Sequence, residues 1–262
     1  MPKHRRIWNQ DTHNRYLREG RGCGSGPGYI PWIRVQDFAS QGVVSRVKGR
    51  TTGRVHHLMS NNELAYFYML DWSENVLDIR EQYPLLDLDC ALYAAAHAGI
   101  KYPTDRISGY PYVLTCDFMV TTASGLKART IKMSSELNKS RVLEKLEIER
   151  RYWLTHGVDW KLVTENEISY RKAKNIEWLY SAQDFIITED TPGEIKAALE
   201  LLLRMVCCPE HSIIEVAQIV EDRYSLAKGV GLLLFKYLAL NKEIELDLNS
   251  LNLNTKGAAV AA

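Results

Sequence analysis

The stretch that most constrains the fold of this chain is residues 115–132. It reads Thr115-Cys116-Asp117-Phe118-Met119-Val120-Thr121-Thr122, then Ala123-Ser124-Gly125, then Leu126-Lys127-Ala128-Arg129-Thr130-Ile131-Lys132. Two runs with β-branched and apolar residues flank a Ser-Gly pair, which predicts a β-hairpin. With Ser124-Gly125 as the loop, Ala123 faces Leu126 and Asp117 falls opposite Lys132. Cross-strand partners share a face with Cβ atoms about 5 Å apart. An acid and a lysine then meet at the open end of the hairpin. Such a pair is either a surface ion pair, which is common and weak, or part of a site.

The flanking sequence supplies the rest of a sheet. Ser60-Asn61-Asn62-Glu63 has capping-box spacing, and Leu64, Phe67 and Tyr68 follow at i, i+3 and i+4, so residues 60–71 predict a helix. Residues 76–82 alternate as a strand, and the alanine-rich residues 89–98 predict a short helix stopped by Gly99. A loop between Pro103 and Pro111 leads into the hairpin at 112–133. Residues 139–156 predict an amphipathic helix with an apolar stripe of Val142, Leu143, Leu146 and Trp153, and with Glu147 and Arg151 at i, i+4. Trp160-Lys161-Leu162-Val163-Thr164 reads as a further strand. Leaving the alanine-rich helix aside, the order is αβββαβ. The last helix must carry the chain back across the sheet, so the class is α/β, a mixed sheet with helices on both faces.

The composition changes after Thr164. Helices are expected at 171–181, from the Thr191-Pro192-Gly193-Glu194 cap to about Cys207, from Ser212 to Arg223, and over 226–240, followed by a strand at 242–248. This spacing suggests a winged-helix-like (helix-turn-helix) domain. Its third helix holds Gly229-Val230-Gly231-Leu232-Leu233-Leu234-Phe235 with only Lys228 and Lys236 as basic residues. Major-groove readers carry more Arg, Asn or Gln, so this helix is expected in the core. The domain plan is therefore a basic arm at 1–28 whose glycine-rich end is a flexible or closely packed segment and not a helix, an α/β domain at 29–167, the helical domain at 168–250 and a flexible tail at 251–262.

Charge is uneven. Residues 1–55 carry eleven Lys/Arg against three acids, while the whole chain is +1. Trp8, Tyr16, Tyr29 and Trp32 interleave with these charges, which suits a nucleic-acid partner. Arg46, Lys48, Arg50, Arg54 and His56 are the candidate DNA contacts. His56 and His57 face opposite ways on a strand, so they do not form a metal pair. Gly22-Cys23-Gly24-Ser25-Gly26 lacks the strand and helix that a dinucleotide loop needs. Five cysteines without a CxxC pair argue against a disulfide framework or a zinc site. No membrane span or signal peptide is expected, which fits a cytoplasmic protein.

A phosphodiester-hydrolysing site needs a hard cation on oxygen ligands and a nearby lysine. Thr130 and Lys132 share one strand face, while Ile131 packs inward with its carbonyl still offered as a ligand. The αβββαβ order with these residues resembles the PD-(D/E)xK restriction-endonuclease-like superfamily. More narrowly, the chain resembles the TnsA endonuclease subunits of heteromeric bacterial DNA transposases. The resemblance rests on Tyr29-Ile30-Pro31-Trp32, Thr52-Gly53-Arg54-Val55-His56-His57-Leu58, Glu63-Leu64-Ala65, Val76-Leu77-Asp78-Ile79-Arg80-Glu81-Gln82-Tyr83-Pro84-Leu85, Asp117-Phe118, the run Leu143 to Trp153, and Asn175-Ile176-Glu177-Trp178-Leu179-Tyr180-Ser181. It implies catalytic Glu63, Asp117 and Lys132, with Glu63, Asp117, Thr130 and Ile131 around Mg2+, for which Mn2+ can substitute. The family has glutamine two residues before the lysine, where this chain has Thr130. The implied function is cleavage at the 5′ ends of a transposon, beside an RNase-H-like transposase and an AAA+ ATPase regulator. The alternatives are a stand-alone restriction or repair nuclease and a transposase adaptor that has lost cleavage.

Overall fold

A computed structural model describes residues 7–37, 43–206 and 208–261. Lys3, Arg5 and Arg6 of the basic arm, and Cys207, lie outside the described residues. The chain divides into two compact units, one ending at Ile168 and the other beginning at Ser169.

The first unit runs α1 (Gln10–Arg18), β1 (Ser45–Lys48), β2 (Val55–Leu58), α2 (Asn61–Trp72), β3 (Val76–Pro84), α3 (Leu88–His97), β4 (Thr115–Thr122), β5 (Gly125–Ile131), α4 (Ser140–Thr155) and β6 (Asp159–Val163). Its central sheet has the order β3-β4-β5-β6. β4 is antiparallel to both neighbours, and β6 is parallel to β5. α4 makes the crossover that a parallel pair requires. With α2, these elements form the αβββαβ core of a restriction-endonuclease-like fold. Phe118 meets Tyr66 of α2, with ring centroids 6.0 Å apart. Met119 and Ala128 instead cluster with Ile148, Tyr152 and Trp153 of α4. Successive β4 residues face opposite ways, so α2 and α4 cover opposite faces of the sheet.

The hairpin register differs from the expected one. Thr122 pairs with Gly125 and Phe118 with Arg129. The turn is therefore Ala123-Ser124, closed where the Thr122 hydroxyl donates to the Gly125 carbonyl (3.0 Å). Gly125 sits at φ +115°, which favours glycine at that position. The slip is two residues, so every side chain keeps its face. Asp117 now stands opposite Thr130 by continuation, with Lys132 one diagonal step away.

Two other expectations are corrected, and one helix is additional to those expected. Within the arm, residues 10–18 are helical, with Asn9 Oδ1 accepting from Thr12 N as the N-cap. The glycines begin only after this helix, and two of them, Gly22 and Gly24, are closely packed: a Cβ on Gly22 would lie 2.3 Å from Pro84. Leu143 of the expected α4 stripe is 48% exposed, while Ile148, Glu149 and Tyr152 are buried. The expected flexible tail instead folds back, and its strand β8 (Ala259–Ala261) pairs with β7 (Ile244–Leu246).

The second unit contains α5 (Tyr170–Tyr180), α6 (Gly193–Val206), α7 (Ile213–Arg223) and α8 (Val230–Leu240), followed by the β7–β8 ribbon. Ser212 and Glu215 form a reciprocal capping box on α7. α8 starts later than the pattern suggests, after Gly229 in the left-handed region at φ +95°. Leu234, Phe235 and Leu238 of α8 are fully buried, so the third helix of the trio is core, as its apolar sequence predicts.

Candidate active site

The N-terminus of α2 and the end of β5 line one cavity. Ser60 Oγ accepts the Glu63 backbone N–H (3.1 Å), which starts α2 and fixes where the Glu63 side chain leaves the helix. The Glu63 carboxylate then accepts from Met59 N (3.0 Å) and Ser60 Oγ (3.0 Å). Burial raises its pKa, and the Asp117 charge pushes it further, against those hydrogen bonds.

Asp117 is buried on β4. Its Oδ2 accepts the Ile131 backbone N–H (2.6 Å) and lies 3.3 Å from Lys132 Nζ. Lys132 Nζ also donates to the Ile131 carbonyl (2.7 Å). A carbonyl oxygen has two lone pairs, so this contact occupies only half of Ile131's capacity. Burial alone would lower the Lys132 pKa, but the carboxylates of Asp117, Glu149 and Glu63 outweigh it, and the pKa is raised.

Two cavities meet here. One of about 320 Å³ is lined by Asp117, Thr130, Lys132, Glu136, Lys145 and Glu149 among others. A second of about 260 Å³ is lined by Glu63, Ile131, Lys132 and Glu136, with Ser60, Asn62 and Met133. Lys132 and Glu136 border both. Four carboxyl groups thus surround Lys132 and Lys145. This surplus of oxygen donors fits a hard divalent cation, which prefers oxygen ligands.

Glu149 was not anticipated. Its Oε1 accepts the Thr130 hydroxyl and the Trp160 Nε1–H (2.9 Å). Burial pushes its pKa up to about 7, partly offset by those two hydrogen bonds. The Thr130 hydroxyl is therefore committed to supporting an acid from α4. The sequence did carry a signal: Val142, Leu146, Glu149 and Trp153 follow one helical stripe, and an acid in an apolar stripe marks a buried charge. Gln82 was also missed. It has φ +48°, a strained value for a side chain of this size. Its Nε2 donates to Glu63 Oε2 (3.3 Å), and its Oε1 accepts the Thr115 hydroxyl (3.3 Å).

The candidate DNA contacts separate into two groups. Arg46, Lys48 and Arg50 are exposed on and beside β1. His56 is fully buried, and Arg54 makes a two-bond contact with Glu81 (2.8 and 2.5 Å). His56 Nδ1 completes the cluster at 2.8 Å from Glu81. Burial alone would raise the Glu81 pKa, but Arg54 and His56 hold it down to about 2. Arg54 and His56 are thus corrected from DNA contacts to partners of a buried carboxylate. In the arm, Arg21 is likewise internal, 2.5 Å from Asp37.

The family profile described as "TnsA-like endonuclease N terminal" matches residues 73–165, which include Asp117, Thr130, Lys132 and Glu149. A second, "TnsA endonuclease C terminal", matches residues 167–248. The chain is 40% identical over 238 residues to "Transposon Tn7 transposition protein TnsA" of Escherichia coli, covering 89% of this chain and 85% of that protein.

Proposed function

The chain belongs to the TnsA endonuclease family, and from that premise we propose that it is the metal-dependent subunit that hydrolyses the phosphodiester at the 5′ ends of a transposon. The observation that supports this reading most strongly is the convergence of Glu63, Asp117 and Glu149 on Lys132 in a cleft rich in oxygen donors.

Glu63 and Asp117 are the proposed holders of Mg2+, with Mn2+ able to substitute, and the Ile131 carbonyl offers a further oxygen. Mg2+ supplies polarisation of the scissile phosphate and a lowered pKa for a bound water. Lys132 stays protonated under its three acids and stabilises the charge that develops on the phosphate oxygens. Gln82 holds Glu63 in place through its amide. In this reading Glu149 takes the place of the glutamine expected at position 130, and Thr130 orients it. Arg46, Lys48 and Arg50 would run along the DNA backbone, and the second unit, read as winged-helix-like, would dock the partner subunits. Those partners would be an RNase-H-like transposase and an AAA+ ATPase, acting with this chain on transposon ends in the bacterial cytoplasm. No helix among the described residues is long and apolar enough to cross a membrane.

The test is a Mg2+-dependent excision assay with the partner subunits, comparing the native chain with Asp117→Ala. Strand-specific mapping should show 5′ nicks for the native chain and none for the variant. Normal 5′ nicking by Asp117→Ala would falsify the catalytic assignment. Absence of nicking by the native chain would favour the adaptor, and unaided cutting of generic DNA the stand-alone nuclease.

A further inference from the structure

Away from the cleft, the start of α3 and the end of α4 bring together Asp87, Cys90 and His156, with one ligand atom of each within 4.8 Å of the others. The Asp87 and His156 side chains are each already oriented by a bond on their other side. Asp87 caps α3, where its Oδ1 accepts Cys90 N (3.0 Å). That leaves Oδ2, which lies 3.8 Å from His156 Nε2. His156 Nδ1 is 2.8 Å from the Tyr152 carbonyl, which can only accept, so Nδ1 carries the proton. With Nδ1 holding this bond, Nε2 is the nitrogen left to offer a lone pair to a metal, the arrangement of a metal-binding histidine. The ring is held flat over Tyr152, with centroids 4.3 Å apart, and the Tyr152 hydroxyl accepts the Asp87 backbone N–H (3.2 Å).

We propose that Asp87, Cys90 and His156 form a second metal site, separate from the catalytic cleft, that takes a Zn2+-class cation. A sulfur, a nitrogen and an oxygen donor match a borderline-soft ion, whereas the acids, hydroxyl and carbonyl of the cleft offer oxygen. Tetrahedral zinc places its ligand atoms about 3.3–3.7 Å apart. Small rotamer adjustments of the exposed Asp87 and half-buried Cys90 reach that spacing. Water fills the fourth position, and the exposure of Asp87 gives an entry path. The absence of a CxxC pair is no obstacle, since Asp87 and Cys90 supply the same i, i+3 spacing at a helix start. Such an ion would clamp α3 to α4, the helix that carries Glu149.

The full chain, freed of metal by chelation, is titrated with Co2+ in excess Mg2+. One equivalent should produce a near-ultraviolet thiolate-to-Co2+ charge-transfer band. The band should persist in Asp117→Ala, which removes a carboxylate of the cleft. It should vanish in Cys90→Ser, and in His156→Ala the Co2+ affinity should fall by more than about tenfold. Zn2+ should raise the thermal midpoint of the native chain and not that of Cys90→Ser. Absence of a stoichiometric band, or a band unchanged in Cys90→Ser, would overturn the site. Loss of the band in Asp117→Ala would place the ion in the cleft and overturn it as well. Because Asp117→Ala also reports on nicking, failure of this site and failure of the nuclease reading are read separately.

Discussion

Replacing Glu149 by glutamine should stabilise the metal-free first unit while impairing cleavage. Both hydrogen bonds that Glu149 receives end on Oε1, from Thr130 and Trp160. A glutamine carbonyl can accept both, so the substitution deletes a buried charge and keeps the contacts. The folded-state pKa is about 7, against an unfolded value of 4.5. At about 1.4 kcal/mol per pH unit of separation, ionised Glu149 costs the fold about 3 kcal/mol. The sign follows from the raised pKa. The stability is fully present below pH 4.5 and is lost as pH rises through about 7. Native and Glu149→Gln chains should therefore unfold alike near pH 4.5 and diverge by pH 8. For a unit of this size, about 3 kcal/mol corresponds to roughly 6–12 °C in the thermal midpoint. The assay is calorimetry in chelator at several pH values, following the first unit's transition, with Mg2+-dependent nicking measured on the same samples. Parallel pH profiles for the two chains would refute the reasoning, because the difference isolates the Glu149 charge.

Gln82→Ala removes the amide on Glu63 and should raise the Mg2+ concentration for half-maximal nicking by about ten- to hundredfold. Gln82→Gly should share that loss yet be more stable than Gln82→Ala, since φ +48° suits glycine, and an unchanged Mg2+ titration in both would count against the positioning role. Thr130→Val deletes a hydrogen bond that favours ionised Glu149, so the acid limb of the pH–rate profile should move up by about one pH unit; a stationary limb argues that Glu149 need not ionise. Glu81→Gln leaves the buried Arg54 without its counter-charge and should cost about 3–5 kcal/mol in urea unfolding, with less than about 1 kcal/mol contradicting the pairing.

The sequence by itself determined the element order and the residue pair at the hairpin's open end. Periods of two and 3.6 residues are local, so the αβββαβ order, the hairpin, the α7 capping box and the apolar α8 could be read from short windows. Asp117 and Lys132 were legible because a slip of two residues preserves faces, even though the turn is Ala123-Ser124. What only the tertiary structure decided concerns groups distant in the chain. Glu149 meets Thr130 nineteen residues away, across the α4 crossover. Gln82 reaches Glu63 through an αL bend that no local pattern announces. The Arg54 and His56 charges looked like DNA contacts until Glu81, twenty-seven and twenty-five residues on, was found buried between them. Burial and partner choice are properties of the packed chain. A charge's role is set by what desolvates it and what pairs with it, and neither is written in its neighbours along the sequence.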